Sequence, residues 1–277
     1  MLASELDSLF WGERDDSAFL PASYVVCCTV YEWQQRRKSV TRQISKGTCT
    51  FCHKEFSKAS MSRHLESCEQ RVATQGERES RYKGKKVKAF HPVVEGYRLP
   101  MYWMHLEVLA GTTLATLDRF LRDTWLERCG HLSVFRIGGY NYYMDEEIDT
   151  YYDWDMRRKD MQVPLDQALQ PGQSCSYEYD FGSSTELLLK VISEREVPAK
   201  KKMIEILARN TLSFIPCDGC GKPATTTCTQ CIYEDKGYLC DICAKVHECG
   251  EEVLLPRVNS PRDGVCGYTG QTPAYAW

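Results

Sequence analysis

Eight residues able to ligate a soft divalent cation fall between positions 217 and 249: Cys217, Cys220, Cys228, Cys231, Cys240, Cys243, His247 and Cys249. Six of them form three Cys-x2-Cys knuckles, and a His-x-Cys pair closes the set. A Cys-x2-Cys turn delivers two thiolates to one tetrahedral ion, so four such half-sites predict two Zn2+ ions. A further set lies upstream as Cys49-x2-Cys52-x11-His64-x3-Cys68. His64 and Cys68 stand four residues apart, the spacing of one helical face. Ser57 to Ser60 supply a capped start for that helix, and Phe56 and Met61 supply the apolar pair a small finger needs. Three zinc ions are therefore expected. Four protein ligands per ion leave no position for water, which makes the ions structural rather than hydrolytic.

Residues suited to catalysis are sparse by comparison. His105, His131, Tyr179 and Asp180 are of the right types for acid–base work. No Gly-rich phosphate loop, nucleophile elbow or paired-carboxylate spacing accompanies them. His105 alternates onto the polar side of its strand and is expected at the surface. Tyr177, Tyr179 and Phe181 share one strand face, and a period-two aromatic stripe is expected to be core. No catalytic residue is assigned, and no cofactor beyond zinc.

A chain of 277 residues is long enough for one good core and one or two small modules. Ten of its 15 cysteines belong to the two metal sets, a usage that suits a reducing compartment. The first ten residues carry Glu5 and Asp7 instead of a basic run, and the apolar stretch from Ala18 to Tyr31 is short and contains Pro21. A soluble, cytoplasmic protein with no membrane partner is expected.

The net charge of −3 conceals an asymmetry, because residues 34–91 hold 15 Lys and Arg against 5 Asp and Glu. Phosphate backbones respond to such local patches, so DNA or RNA is an expected partner for residues 34–91. Docked as a ββα finger docks, the upstream helix would turn Ser57, Ser60 and Arg63 toward bases, with Lys54 and Lys58 near phosphates. Lys85, Lys86 and Lys88 would extend the contact as a basic arm. A protein-docking finger with a solvated basic face is the alternative.

Between the metal sets the pattern is α+β, with a central antiparallel sheet and helices. Tyr102, Met104, Leu106 and Val108 alternate along a strand. Thr112-Thr113 caps a helix carrying Leu114, Leu117, Phe120, Leu121 and Trp125, which Gly130 stops. A second strand is expected over His131 to Gly139, an irregular stretch over Tyr140 to Asp160, and a short helical turn over Val163 to Gly172. Ser176 to Phe181 and Glu186 to Ser193 read as a hairpin across Gly182-Ser183-Ser184. The expected organisation is an N-terminal extension (1–47), a zinc finger (48–69), a basic linker (70–91), the α+β domain (92–195), a linker (196–216), a double-zinc module (217–257) and an irregular tail (258–277).

Within 92–195 the segments Trp103-Met-His-Leu-Glu-Val, Leu117-Asp-Arg-Phe-Leu-Arg-Asp-Thr-Trp125, Phe135-Arg-Ile-Gly-Gly and Tyr177-Glu-Tyr-Asp-Phe-Gly182 resemble the pRi plasmid ORF-3-like family. That family is also called the insertion-element passenger TnpR-like group. The resemblance implies an association with plasmids and mobile elements. Many members continue Asp-Phe-Gly with an Asp-x-Trp-x-His run; this chain has Ser183-Ser184-Thr185-Glu186-Leu187 there. The upstream metal set resembles fingers with a Cys-Cys-His-Cys ligand set. The C-terminal order of six Cys, one His and one Cys resembles the MYND, HIT-type and B-box modules. That second resemblance implies a treble-clef-like fold, a protein partner and interleaved ligation. Cys217, Cys220, Cys240 and Cys243 would share one ion, and Cys228, Cys231, His247 and Cys249 the other; sequential pairing is the alternative. The functional expectation is a non-enzymatic, nucleic-acid-binding or regulatory zinc protein. Its alternatives are a protein-interaction adaptor using the C-terminal module and an enzyme acting at the central domain.

Overall fold

The computed structural model describes residues 45–127, 129–144, 157–234 and 236–270. Of the expected N-terminal extension, residues 1–44 lie outside the described residues. The fold is mixed α+β around one ten-stranded sheet ordered β2-β1-β10-β4-β3-β9-β8-β5-β6-β7. Its strands are β1 (Lys46–Cys49), β2 (Glu55–Ser57), β3 (Lys86–Gly96), β4 (Leu99–Leu109), β5 (Ser133–Ile137), β6 (Tyr140–Tyr143), β7 (Arg158–Asp160), β8 (Ser174–Tyr179), β9 (Thr185–Pro198) and β10 (Ile204–Asn210). All neighbours pair antiparallel except β6 and β7.

One face of the sheet meets the helix α3 (Leu114–Trp125), which follows α1 (Lys58–Ser67) and α2 (Glu69–Arg81) in the chain. Thr113 caps α3 by accepting a hydrogen bond from Thr116 N. Leu114, Leu117, Phe120, Leu121 and Trp125 then bury against Tyr102, Met104, Leu106 and Val108 of β4 and Tyr177 and Tyr179 of β8. The aromatic stripe on β8 is core, as its period suggests.

The other face is covered too, and this changes several expectations. β4 is buried on both sides, because Trp103, His105 and Glu107 lie beneath the finger and α2. His105 is therefore not a surface residue: it is 1% exposed, and its Nδ1 lies 3.0 Å from His91 Nε2. Desolvation lowers the His105 imidazole to about 3 and that of His91 to about 4, so both are neutral donors and acceptors within one buried pair.

Neither expected linker is one. Residues 70–91 hold most of α2 and the start of β3, and residues 196–216 hold β10, an interior strand between β1 and β4. Runs of charge made both segments look like tethers, although Ile204 to Leu207 in the second reads as helix- or strand-like. Salt bridges hold α2 instead: Arg71, its one buried residue, sits beside Glu107, and Arg78 pairs with Glu205 at 2.9 Å. Glu107 also receives Lys200 at 2.7 Å and Arg195 Nε at 3.0 Å. Burial raises its carboxyl, but Lys200 and Arg195 outweigh that and hold it below the usual range. The stretch 140–160, expected to be irregular, has β6 at one end and β7 at the other.

A smaller unit follows β10. It contains β11 (Thr226–Cys228), β12 (Tyr238–Leu239), the one-turn helix α5 (Asp241–Ala244) and β13 (Leu254–Pro256), with strand order β12-β11-β13. The one-turn α4 (Leu165–Ala168) had come earlier, within the expected helical turn. Residues 258–270 are irregular, as expected, but they are packed into the molecule: Ser260, Arg262 and Asp263 are each at most 1% exposed. Among the described residues no helix is long and apolar enough to cross a membrane.

Candidate metal centres and the signature cluster

In the C-terminal unit, the first Cys-x2-Cys knuckle lies beside the third, and the second beside the His247–Cys249 pair. The donor atoms of Cys217, Cys220, Cys240 and Cys243 lie within 4.8 Å of one another, as do those of Cys228, Cys231, His247 and Cys249. This grouping is interleaved. Cys220 and Cys240 sulfurs are 3.5 Å apart, and Cys231 Sγ is 3.5 Å from both His247 Nε2 and Cys249 Sγ. Disulfides need about 2 Å. A tetrahedron with metal–sulfur bonds of about 2.3 Å has edges of roughly 3.8 Å, so these spacings suit one ion per cluster.

Local backbone prepares two of the thiols for metal. Burial pushes Cys217 up, but peptide N–H groups from Cys240, Gly219 and Cys220 outweigh it and bring the thiol to about 6. Cys228 reaches about 7 by the same balance, with the N–H groups of Cys231 and Gln230. Thiolates are the metal-binding form, so a knuckle with inward N–H groups is a preorganised ligand pair.

The upstream cluster unites Cys49, Cys52, His64 and Cys68 within the same 4.8 Å limit, with Cys52 Sγ 3.3 Å from His64 Nε2 and Cys49 Sγ 4.0 Å from Cys68 Sγ. Ser57 caps α1 through Ser60 N, His64 rides on α1, and Cys68 closes its end. Phe56 stacks on the His64 ring at 3.7 Å, and Met61 is fully buried. The finger is not a free-standing module, however. β1 pairs with β10 through Gly47 to Cys49, and its core is shared with Trp103, Leu207 and Ala208 of the main sheet. Each of the three clusters could hold a metal ion, and their donors suit zinc.

The signature strand has a different task. Tyr177 donates from its hydroxyl to Asp118 Oδ1 at 2.7 Å, which ties β8 to α3. Arg122 completes that tie through Asp118 at 2.8 Å and the His131 carbonyl at 2.8 Å. Tyr179 donates to the Glu127 carbonyl at 3.0 Å. Asp180 adopts a left-handed φ of 62°, tolerated because Oδ1 accepts the N–H groups of Gly182 and Ser183 at 3.2 Å each.

A family model described as plasmid pRiA4b ORF-3-like protein matches residues 97–236, half of the chain. The chain belongs to that family. The ORF-3-like match begins at the β3–β4 turn and runs past β10 into the first two C-terminal knuckles, further than the span 92–195 expected from the motifs. Among solved structures, a protein of unknown function from Methanosarcina mazei Go1 is similar at 17% identity, covering 50% of this chain and 77% of that one, with a TM-score of 0.37. A search of curated proteins finds no match.

In this ORF-3-like chain the candidate acid–base residues divide. His105 is paired with His91 beneath the finger. His131 Nδ1 lies 3.8 Å from Asp180 Oδ2 and 3.7 Å from Glu127 Oε1, beyond hydrogen-bond distance. Both carboxylates are instead gripped by Arg262, which is 0% exposed: Nη2 is 2.6 Å from Asp180 Oδ2, and Nε is 3.0 Å from Glu127 Oε1. Arg262 Nη1 also donates to Ser183 O and Thr185 Oγ1. The side chains of Glu127, His131, Asp180 and Cys266 do converge within 4.8 Å, but the guanidinium occupies their carboxylates. Sequence reading missed Arg262, Glu127 and Cys266, since irregular segments give no periodic signal for a charge network.

The nucleic-acid candidates are scattered in role. Ser57 and Ser60 are spent on the helix cap, with Ser60 Oγ also reaching Ser57 O. Lys58 forms an ion pair with Glu95, Lys86 with Glu79 at 3.0 Å, and Lys88 with Glu194 at 3.2 Å. Lys54, Arg63 and Lys85 are exposed and form no ion pair with a described residue.

Proposed function

We propose that the chain is a non-catalytic binding protein of the ORF-3-like family, built on three structural zinc ions, whose C-terminal double-zinc module recruits a protein. The observation that carries this reading is on α5 and the turn after it. Ile242 and Val246 are 67% and 80% exposed and lie four residues apart, interleaved with the ligands Cys243 and His247. Ligands fix the backbone of such a module, so these apolar side chains are presented at little entropic cost. Asp241, Glu248, Glu251 and Glu252 are exposed around them. An apolar segment flanked by basic residues is the partner this surface fits.

The test is co-purification with the full chain after nuclease treatment, compared with an Ile242→Asp/Val246→Asp variant. A stoichiometric protein partner lost by the variant, with three zinc ions retained in both, supports the reading. Equal recovery by both removes the module from it.

The nucleic-acid reading is second, and Lys54, Arg63 and Lys85 are what favour it. Six of the described bases between 45 and 91 face carboxylates instead: Lys58, Arg71, Arg78, Arg81, Lys86 and Lys88. Charge already matched inside the fold adds little to phosphate attraction. Binding of duplex DNA at low salt that Lys54→Glu/Arg63→Glu abolishes would promote this reading, and its absence would retire it.

A further inference from the structure

Arg209 on β10 has no acidic counterpart among the described residues. Arg209 lies under the tail, where Nη2 donates to the Asn259 carbonyl at 2.6 Å and the guanidinium sits 5.9 Å from the Trp125 ring centroid. Nε is sealed from solvent with no hydrogen-bond partner. Among the described residues no carboxylate acts on it, and desolvation lowers its pKa to about 10. Other deeply placed arginines of the chain are matched: Arg257 to Asp263, Arg262 to Asp180 and Glu127, and Arg71 to Glu107. A desolvated cation without a counter-ion is costly, and it persists where something else neutralises it.

Arg209 also lines a cleft of about 750 Å³ between the finger's first turn, the end of β10 and the tail. That volume lies within the range of roughly 300–1,000 Å³ typical of small-molecule sites. Leu212, Val258 and Tyr268 contribute apolar surface, Thr48 and Thr211 contribute hydroxyls, and no Asp or Glu appears among the described lining residues. One guanidinium balances one negative charge, whereas a phosphate group would ask for more. Its planar fork of donors matches a carboxylate.

We infer that this cleft binds a small organic carboxylate with an apolar or aromatic body, held by Arg209. The cleft borders the upstream metal cluster through Cys49, and neither Ile242 nor Val246 is among its described lining residues. The cleft is walled by segments from three parts of the chain, so the carboxylate would also brace finger against tail.

The experiment titrates benzoate, benzylamine and inorganic phosphate into the full-length protein as purified, at constant ionic strength, by calorimetry and thermal melting. Benzoate is expected to bind saturably and raise Tm, phosphate to bind more weakly and benzylamine not at all. Arg209→Met is expected to weaken benzoate at least tenfold. Leu212→Asp, an exposed rim change that leaves the guanidinium in place, is expected to weaken it by a similar factor through like-charge repulsion. No saturable benzoate response, an equal response to benzylamine, or unchanged affinity in Leu212→Asp would overturn the inference.

Discussion

Replacing Arg262 by Met is expected to be among the most damaging single changes in the chain. The guanidinium is fully buried and joins two carboxylates from separate segments, Asp180 after β8 and Glu127 after α3, and it also holds Ser183 O and Thr185 Oγ1. Met fills a similar volume, so the loss is electrostatic. Asp180 is 4% exposed, and removing one partner of a buried pair leaves an uncompensated charge at a cost of about 3–5 kcal/mol. A folded domain has about 5–15 kcal/mol in total. The assay is urea unfolding of wild type, Arg262→Met, Asp180→Asn and the double variant. Asp180→Asn in the Arg262→Met background should recover more than 1 kcal/mol, because it removes the stranded charge. Limited proteolysis should meanwhile show new cleavage within 258–270 in Arg262→Met. A loss below about 1 kcal/mol, or a double variant whose loss is the plain sum of the two, would refute the claim that this ion network anchors the tail.

Acid should destabilise the protein through His91 and His105. Their folded values of about 4 and about 3 lie below the unfolded value near 6.5, so between pH 6 and 4 the unfolded chain binds protons that the native pair refuses. Stability then falls as pH falls, by about 1.4 kcal/mol per pH unit for each His. The slope of unfolding free energy against pH should flatten in His91→Gln/His105→Gln relative to wild type, and identical slopes would contradict it. Metal analysis should return three zinc ions per chain. Strong chelation should open residues 217–257 to protease while near-ultraviolet circular dichroism of the main core persists, because that core is apolar and contains none of the Cys and His donors of the three clusters. Gly47→Ala should cost at least about 2 kcal/mol by chemical denaturation, since a Cβ there would stand 2.4 Å from Arg209 O and 2.6 Å from the Trp103 ring.

The donor sets could be read from sequence because ligand type and short spacing are local properties. The helix α3 and the β8–β9 hairpin were readable for the same reason. Alternation along β4 separated Tyr102, Met104, Leu106 and Val108 from Trp103, His105 and Glu107, but it says nothing of what covers the second set. The cover is the finger with α2, and α2 carries charge where a helix ordinarily carries leucine. β10 was legible only as a helix- or strand-like run from Ile204 to Leu207 within a linker, because Lys200-Lys201-Lys202 precedes it and Cys-x2-Cys knuckles follow. The tail's place in the fold rests on Arg257 and Arg262, single residues within irregular backbone.

The pairing of Gly47 with Asn210 has a consequence for how the molecule comes into being. A ribosome delivers the finger's cysteines and histidine long before the strand that forms their neighbouring wall. Until residues 204–210 emerge, the nascent finger has an unpaired edge where Leu207 and Ala208 will later sit. For the same reason, residues 48–69 are expected to lose stability when moved into another protein as a cassette. Transplanted alone, they would arrive without the floor on which they rest.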